Sequence, residues 1–308
     1  MPEPPRKPIA LSCAVTRRQL LVGAGVVAGA VSRSQATAAA PASRAAPAED
    51  TARLDPMPID DPHFNIDVIA KLQGDLSGRQ RYLYNPGCVY GILPTGQGLA
   101  AQEFGRLLYR VDGFTARISR KLGDGSVEER SHSWMLYSDA LTGEPLQQWT
   151  NPYNGERVAV PEYRGGPSAS RLTTNGPALQ GMTGLESTAL GSPVHLQWRV
   201  VGPRTWLSRH ASSRIRIGSG RARNEFSVDA WACATADLRD RQRSSIPSTY
   251  TWTSHAEWQP WLRMQDRPGG VLWRIDTVLL DDRDQLPRSF IERIDKILPG
   301  KLDQKLQF

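Results

Sequence analysis

The sequence predicts a mainly β protein, built as a single antiparallel β-barrel or strongly curved sheet, calycin-like in general shape, with short helices at its edges. Turn signals rich in Gly, Asn and Pro recur roughly every ten residues, as they do in all-β folds. The segments between them carry apolar residues at alternate positions, which is the period of a strand. No long amphipathic helix separates these segments, so we expect successive strands to pair as hairpins.

The expected elements follow one another from residue 63 onward. A short helix is predicted over residues 65–72, where apolar side chains recur on one side, and a terminal helix over residues 286–298. Residues 161–193 are rich in Gly and Ser and are predicted to form a loop that crosses the sheet. Strands are expected over residues 80–93, 107–119, 128–137, 146–150, 194–201, 205–210, 225–234 and 250–257.

The N-terminal segment has the organisation of a twin-arginine export signal. Arg17 and Arg18 directly precede the weakly apolar run at residues 20–31, and Ala36-Thr37-Ala38 offers a small-x-small cleavage site. A bilayer-spanning helix needs about twenty apolar residues, so we expect no stable membrane anchor. The predicted organisation is a signal peptide at residues 1–38, a flexible lead-in at 39–62 and one β-rich domain at 63–308. The domain would reach the periplasm already folded, with the twin-arginine translocase as its partner during export.

Charge and cysteine content limit the classes of partner and cofactor. Of 308 residues, 38 are Lys or Arg and 31 are Asp or Glu, and five of those bases but one of those acids lie within residues 1–38. The remaining excess is too small to indicate a nucleic-acid partner. Cys88 and Cys233 follow the signal, and the sequence leaves open whether they pair. No motif for a metal, a nucleotide or another cofactor is recognisable, so none is expected.

Three stretches resemble a known family, because each combines aromatic residues with Gly or Pro at fixed spacing. They are Tyr137-x-Asp139-x-x-Thr142-Gly143-Glu144, Trp149-x-Asn151-Pro152-x-Asn154-Gly155-Glu156, and Ser254-His255-x-x-Trp258-Gln259-Pro260-Trp261-x-x-Met264 followed by Pro268-Gly269. The family is the bacterial one catalogued as domain of unknown function 1838, and the resemblance extends over residues 72–287. It implies a single exported domain and brings no settled catalytic residues with it.

An aromatic and histidine-bearing set in the second half predicts a small-molecule site, because ligand cavities combine apolar walls with a few polar groups. Alternation places Tyr250 and His255 on opposite faces of one strand, while Asp229 and Trp231 share a face of another. The candidate catalytic residues are His255, His210, Asp229 and Tyr250. The candidate substrate-binding residues are Trp206, Arg209, Trp231, Trp252, Trp258, Trp261 and Met264.

These residues suit proton transfer, so the first hypothesis is a cofactor-independent lyase or isomerase that acts on an aromatic or polycyclic compound. His255 or His210 would be the general base, Asp229 would stabilise the imidazolium, and Tyr250 or Arg209 would hold a developing oxyanion. Retro-aldol loss of formaldehyde from a hydroxymethyl aromatic is one such reaction. The alternative is a non-catalytic periplasmic carrier that binds a hydrophobic small molecule. A structural protein of the cell envelope is a third possibility.

Overall fold

Antiparallel strand pairing organises nearly all of the structure, a computed structural model that describes residues 57–94, 105–161, 163–180, 185–189, 194–217 and 223–308. By its internal contacts the chain divides into Met1–Met57 and Pro58–Phe308, and the elements below all lie in the second unit. The predicted export signal and most of the lead-in fall on residues 1–56, which lie outside the described residues.

Twelve of the described strands form a single sheet, in the order β10-β11-β12-β13-β14-β1-β3-β4-β7-β8, with β2 paired to β14 and β3 and with β9 paired to β11. Strands β5 and β6 form a separate hairpin. The strands are β1 Arg81–Tyr84, β2 Gly87–Ile92, β3 Arg106–Lys121, β4 Val127–Asp139, β5 Gln148–Thr150, β6 Arg157–Ala159, β7 Tyr163–Thr173, β8 Gly176–Gln180, β9 Leu185–Ala189, β10 Gln197–Val201, β11 Arg204–Ile217, β12 Arg223–Ala234, β13 Ser248–Glu257 and β14 Gly270–Leu280. The helices are α1 Pro62–Gln73, α2 Thr235–Arg239 and α3 Arg288–Ile297, with short 3-10 helices at Pro260–Leu262 and Arg283–Gln285.

The sheet is strongly curved. Strands β4 and β11 are six steps apart in the strand order, which would separate them by about 29 Å in a flat sheet with strands about 4.8 Å apart. Nevertheless, Glu129 on β4 lies close enough to Arg209 on β11 to raise the pKa of that guanidinium, with Asp229 as its main partner. The prediction of a mainly β, strongly curved antiparallel sheet is therefore confirmed, whereas the barrel does not close and the sheet forms a partial ring.

Apolar side chains pack on both sides of this sheet. On the convex side, α3 places Phe290 and Ile294 against Phe114 and Trp134. A second cluster on the other side includes Tyr109 together with aromatic residues of the later strands and of the segment after β13. Helix α1 buries Ile66, Ile69 and Leu72, and it begins where the Asp61 side chain accepts a hydrogen bond from the His63 N–H.

Two predictions about secondary structure were wrong. The stretch at 161–193, expected to be a loop, contains β7, β8 and β9, because its backbone pairs with β4 and β11 despite the Gly- and Ser-rich composition. Strand β14 was not predicted at all. Apolar residues occur on both of its faces near its start, so period-two alternation is weak there.

Cys233 is buried and free, so it does not form a disulfide with Cys88. Burial raises the pKa of the Cys233 thiol to about 11, which makes it a poor nucleophile at neutral pH. Among the helices in the described parts of the chain, none is long and apolar enough to cross a membrane.

His132 is a fully buried histidine at a β-bulge. The pairing of β4 with β7 shifts register between Ser131 and Ser133, and the imidazole packs edge-on against Trp134 at 4.6 Å and Phe114 at 5.9 Å between ring centroids. Neither ring nitrogen has a hydrogen-bond partner among the described residues. Burial, with a smaller contribution from Lys301, lowers the pKa of His132 to about 4.

This burial predicts an acid-sensitive fold. An unfolded histidine has a pKa of about 6.5, whereas His132 in the folded state has a pKa of about 4. Between these two pH values the imidazole is protonated in the unfolded state and neutral in the folded state, so protonation favours unfolding. The free energy of unfolding should therefore fall by up to about 3 kcal/mol as the pH drops across this window. In urea titrations at pH 7, 5.5 and 4, His132→Phe should lose most of that dependence, while the exposed control His195→Gln should retain it. Equal pH dependence in wild type and His132→Phe would contradict the assignment.

Candidate functional site

A buried carboxylate, Asp229 of β12, lies on the concave face of the sheet and is only 3% exposed. Its Oδ2 accepts hydrogen bonds from Nε and Nη2 of Arg209 at 3.0 and 2.7 Å. Its Oδ1 accepts one from the Tyr250 hydroxyl at 2.6 Å. A buried carboxylate needs such partners because its charge is otherwise uncompensated, so Arg209, Asp229 and Tyr250 form one connected unit.

The strand register explains why these three side chains meet. Arg209 on β11 lies directly opposite Asp229 on β12, and Trp231 on β12 lies directly opposite Tyr250 on β13. Residues directly opposite each other in a pair of strands point to the same face, and the same is true of residues two apart along a strand. Two neighbouring cross-strand pairs therefore bring their polar groups together, and the Trp231 and Tyr250 rings stack at 5.1 Å between centroids.

The polar network continues across the curved sheet to strands far away in the strand order. Gln73 of α1 donates its Nε2–H to the Tyr250 hydroxyl at 3.4 Å and accepts a hydrogen bond from Arg117 of β3 at 2.7 Å. Arg117 also pairs with Glu129 of β4 at 3.5 Å. The concave face thus holds two charge pairs joined by an amide and a phenol, a set of groups suited to hydrogen-bonding a polar ligand.

Tyr250 is a neutral hydrogen-bonding group at any physiological pH. Burial raises the pKa of its phenol well above 10, and the neighbouring Asp229 charge raises it further, although Arg209 and Arg117 act in the opposite direction. The phenolate is therefore not available as a base. The hydroxyl donates to Asp229, and its oxygen accepts from Gln73.

Glu225 was missed at the sequence level, although it occupies the same face of β12 four residues before Asp229. Ser254 of β13 donates a hydrogen bond to Glu225 Oε1 at 2.8 Å. Burial raises the pKa of Glu225, while the Ser254 hydrogen bond and the nearby Arg223 charge oppose that effect. At about 3.3 Å per residue the backbone positions of Glu225 and Asp229 lie about 13 Å apart along the strand. The alternation that placed Asp229 and Trp231 on one face could have identified Glu225 too.

The structure does not bring the candidate histidines to Asp229. Both His210 and His255 are exposed. His210 follows Arg209 by one residue on β11, and His255 follows Tyr250 by five residues on β13. Because side chains alternate between the faces of a strand, both histidines point to the convex face. His210 packs edge-on against Phe226 at 6.1 Å, and His255 lies opposite Phe226 in the register. The predicted pairing of a histidine base with Asp229 was therefore wrong.

The predicted aromatic wall is divided between the two faces of the sheet, and Trp252 packs against the same cluster as Trp258, Trp261 and Met264. Trp231 and Trp252 lie on the concave face, where Trp252 falls between Tyr250 and Ser254 on the same side of β13. Trp206 is 43% exposed on the opposite face of β11. The remaining candidates belong to the cluster around Tyr109 and the segment that follows β13; they are Trp258, Trp261 and Met264.

Across the described ranges, no group of three or more His, Cys, Asp or Glu side chains is arranged to hold a metal ion.

The fold and the site together define an antiparallel sheet protein with buried, paired charges on its concave face. Residues 224–302 match the family model described as Protein of unknown function (DUF1838), so the resemblance is confirmed over that range. The match contains Glu225, Asp229, Tyr250 and the third of the three recognised motifs, whereas the first two motifs lie before it. Comparisons with curated proteins and with solved structures gave no match.

The hydrogen bonds at Asp229 predict a large stability cost when one partner is removed. Asp229→Ala leaves the Arg209 charge, whose side chain is 22% exposed, without its partner and should lower the free energy of unfolding by about 2–3 kcal/mol in urea titrations. The matched control is Glu292→Ala, which removes an exposed ion pair with Arg288 and should cost less than about 0.5 kcal/mol.

The double variant Arg209→Met/Asp229→Leu removes both charges and should lose less than the sum of the two single variants, because neither charge is left unpaired. Strictly additive losses would show that the pair is not coupled.

Proposed function

We propose that this chain is an exported protein that binds a small molecule on the concave face of its sheet and converts it by general acid–base chemistry, as a cofactor-independent lyase or isomerase. The observation that carries the proposal is the set of Arg209, Asp229 and Tyr250, joined by hydrogen bonds on a face that also holds a carboxyl of raised pKa, Glu225. Ionisable groups with perturbed pKa values and specific charge partners concentrate at functional sites.

The proposed roles follow from the partners of each group. Glu225 is the proton acceptor, because a raised pKa brings a carboxylate closer to the operating pH and makes it a better base. Arg209 holds a ligand oxygen through the guanidinium N–H groups that do not bind Asp229, while Tyr250, whose only O–H proton is donated to Asp229, helps to fix the position of that carboxylate. Asp229 is a positioning residue, because it fixes the guanidinium and the phenol in one orientation. Glu225, in place of a histidine, thus supplies the base.

The spacing along β12 and β13 suits an elongated aromatic ligand. Trp252 lies between Tyr250 and Ser254 on the concave side and is only partly buried, so a ring can pack against it. One end of the ligand then faces Tyr250 and the other faces Glu225. For a hydroxymethyl aromatic, Glu225 takes the hydroxyl proton, the C–C bond breaks and formaldehyde leaves, and the carbanion on the aromatic fragment takes that proton back from Glu225, which regenerates the carboxylate.

The proposal predicts that Glu225→Gln abolishes turnover while sparing ligand binding, because the amide keeps the shape of the side chain and cannot accept the proton. With a panel of hydroxymethyl aromatics and formaldehyde release as the readout, kcat should fall at least about 100-fold with little change in KM. Tyr250→Phe should raise KM. The exposed control variants His210→Ala and His255→Ala should keep wild-type values. Loss of activity in a histidine variant with full activity in Glu225→Gln would reject the assignment.

A carrier without turnover is the second candidate, and one observation favours it. Asp229 already accepts three hydrogen bonds from Arg209 and Tyr250, so these groups form a preorganised binding surface with no spare base among them. Probes that quench tryptophan emission in both wild type and Glu225→Gln, and that are recovered unchanged from wild type, would identify the carrier.

The proposed location is the periplasm, reached in the folded state through the twin-arginine translocase. Support comes from the order of Arg17, Arg18, the apolar run and the cleavage site in the sequence. The double variant Arg17→Lys/Arg18→Lys should therefore stay in the cytoplasm as the uncleaved precursor, as seen by cell fractionation, while the control Arg33→Lys is exported and cleaved normally. Normal export of the double variant would refute the assignment of the route.

A further inference from the structure

A cleft of about 460 Å³ opens beside the turn that joins β5 to β6, apart from the Arg209–Asp229–Tyr250 unit. Its apolar part comes from Trp258, Pro260 and Met264, and its polar part from one acid, one base and two amides. Its volume lies in the range of small-molecule sites, which combine an apolar floor with a few polar groups. The polar lining residues are Glu156, Gln259, Arg263 and Gln265.

The backbone of this cleft is held in an unfavourable conformation. Arg263 and Gln265 have φ values of 52° and 50°, and among the described residues they are the two non-glycine positions with positive φ. This left-handed region is costly for a residue with a Cβ atom, and glycine would relieve the cost. Both side chains are exposed and both line the cleft, while Met264 between them is buried. Such strained positions concentrate at ligand sites.

Two asparagines of the β5–β6 turn fix this backbone. Asn151 donates its Nδ2–H to the Leu262 carbonyl at 2.7 Å and contacts Met264 Sδ at 3.1 Å. Asn154 donates to the Arg263 carbonyl at 3.1 Å. The cleft is therefore formed before any ligand arrives, which lowers the entropic cost of binding.

The lining groups determine the chemistry of the ligand. Arg263 lies 3.6 Å from Glu156, so the two charges balance each other and do not attract an ion. Gln259 Oε1 already accepts a hydrogen bond from Trp261 Nε1, so that amide offers its Nε2–H groups as donors. Together with the ion pair and the exposed amide of Gln265 it provides donors and acceptors side by side, which match hydroxyl groups because a hydroxyl both donates and accepts. The exposed Pro260 and the small accessible part of the buried Trp258 supply the apolar surface for the ring of the ligand.

We propose that this cleft is a second binding site, for a neutral, hydroxyl-rich ring compound of the size of a disaccharide. The site stands on residues other than those of the proposed acid–base function, so either proposal can fail without the other.

The test is isothermal titration calorimetry of the full mature chain with maltose and cellobiose, with citrate as the anionic comparison. At least one disaccharide should bind and citrate should not. Arg263→Gly and Gln265→Gly remove a lining side chain at a position where glycine is favourable, so each should weaken disaccharide binding about tenfold or more. Both should melt at or above the wild-type temperature, which shows that they fold. Arg274→Ala removes an equally exposed arginine on β14 and should bind as wild type.

Failure of both disaccharides to bind, preferential binding of citrate, or unchanged affinity in both glycine variants would each overturn the proposal. Asp229→Asn separates the two sites, since it should leave disaccharide affinity unchanged. A loss of disaccharide binding in that variant would place the ligand on the concave face instead and would also overturn the proposal.

Discussion

The fold depends on how the carboxylate of Asp229 is compensated inside the sheet. A carboxylate that is almost fully buried is tolerated only when charges or hydrogen-bond donors reach both of its oxygens. Here one donor comes from the strand before it in the sheet and another from the strand after it. A register slip of one residue on β12 would turn Asp229 to the other face and leave Arg209 unpaired. The pairing of β11, β12 and β13 is therefore fixed by electrostatics as well as by packing.

The same constraint accounts for the curvature and for the position of α1. The phenol that donates to Asp229 also accepts from Gln73, and Gln73 in turn binds Arg117 on a strand three steps away in the strand order. Helix α1 can bridge these strands only where the sheet curls around it. Such a network is satisfied as a whole or not at all, because the movement of one member leaves a buried polar atom of its neighbour without a hydrogen-bond partner.

Alternation of apolar and polar residues in the sequence predicted which residues share a face of a strand. It failed to predict strands in segments whose composition is rich in Gly and Ser. Period two placed Asp229 with Trp231 correctly and separated Tyr250 from His255, both of which the register bears out. It gave no signal for β7 to β9, where Gly and Ser provide little apolar contrast. Alternation also cannot say which face is concave, and for that reason the exposed His210 and His255 were assigned to the site. Glu225 was overlooked although it lies on the same face of β12 as Asp229. The curvature arises from long-range pairing, which no local pattern contains.

The strained backbone at Arg263 and Gln265 is held by the strands on either side of it. Strands β13 and β14 pair from Tyr250 opposite Thr277 to Glu257 opposite Gly270, so the segment of residues 258–269 is a loop with both ends fixed by one ladder. Asn151 and Asn154 then bind its carbonyls from outside the ladder. Unfavourable φ values persist only where several contacts with the surrounding structure hold the backbone in place. Since β13 also carries Tyr250 and Ser254, the ladder that positions the concave site also holds the cleft open. A mutation that loosens the β13–β14 pairing should therefore disturb both sites, whereas changes to the Asn151–Glu156 turn should affect the cleft alone.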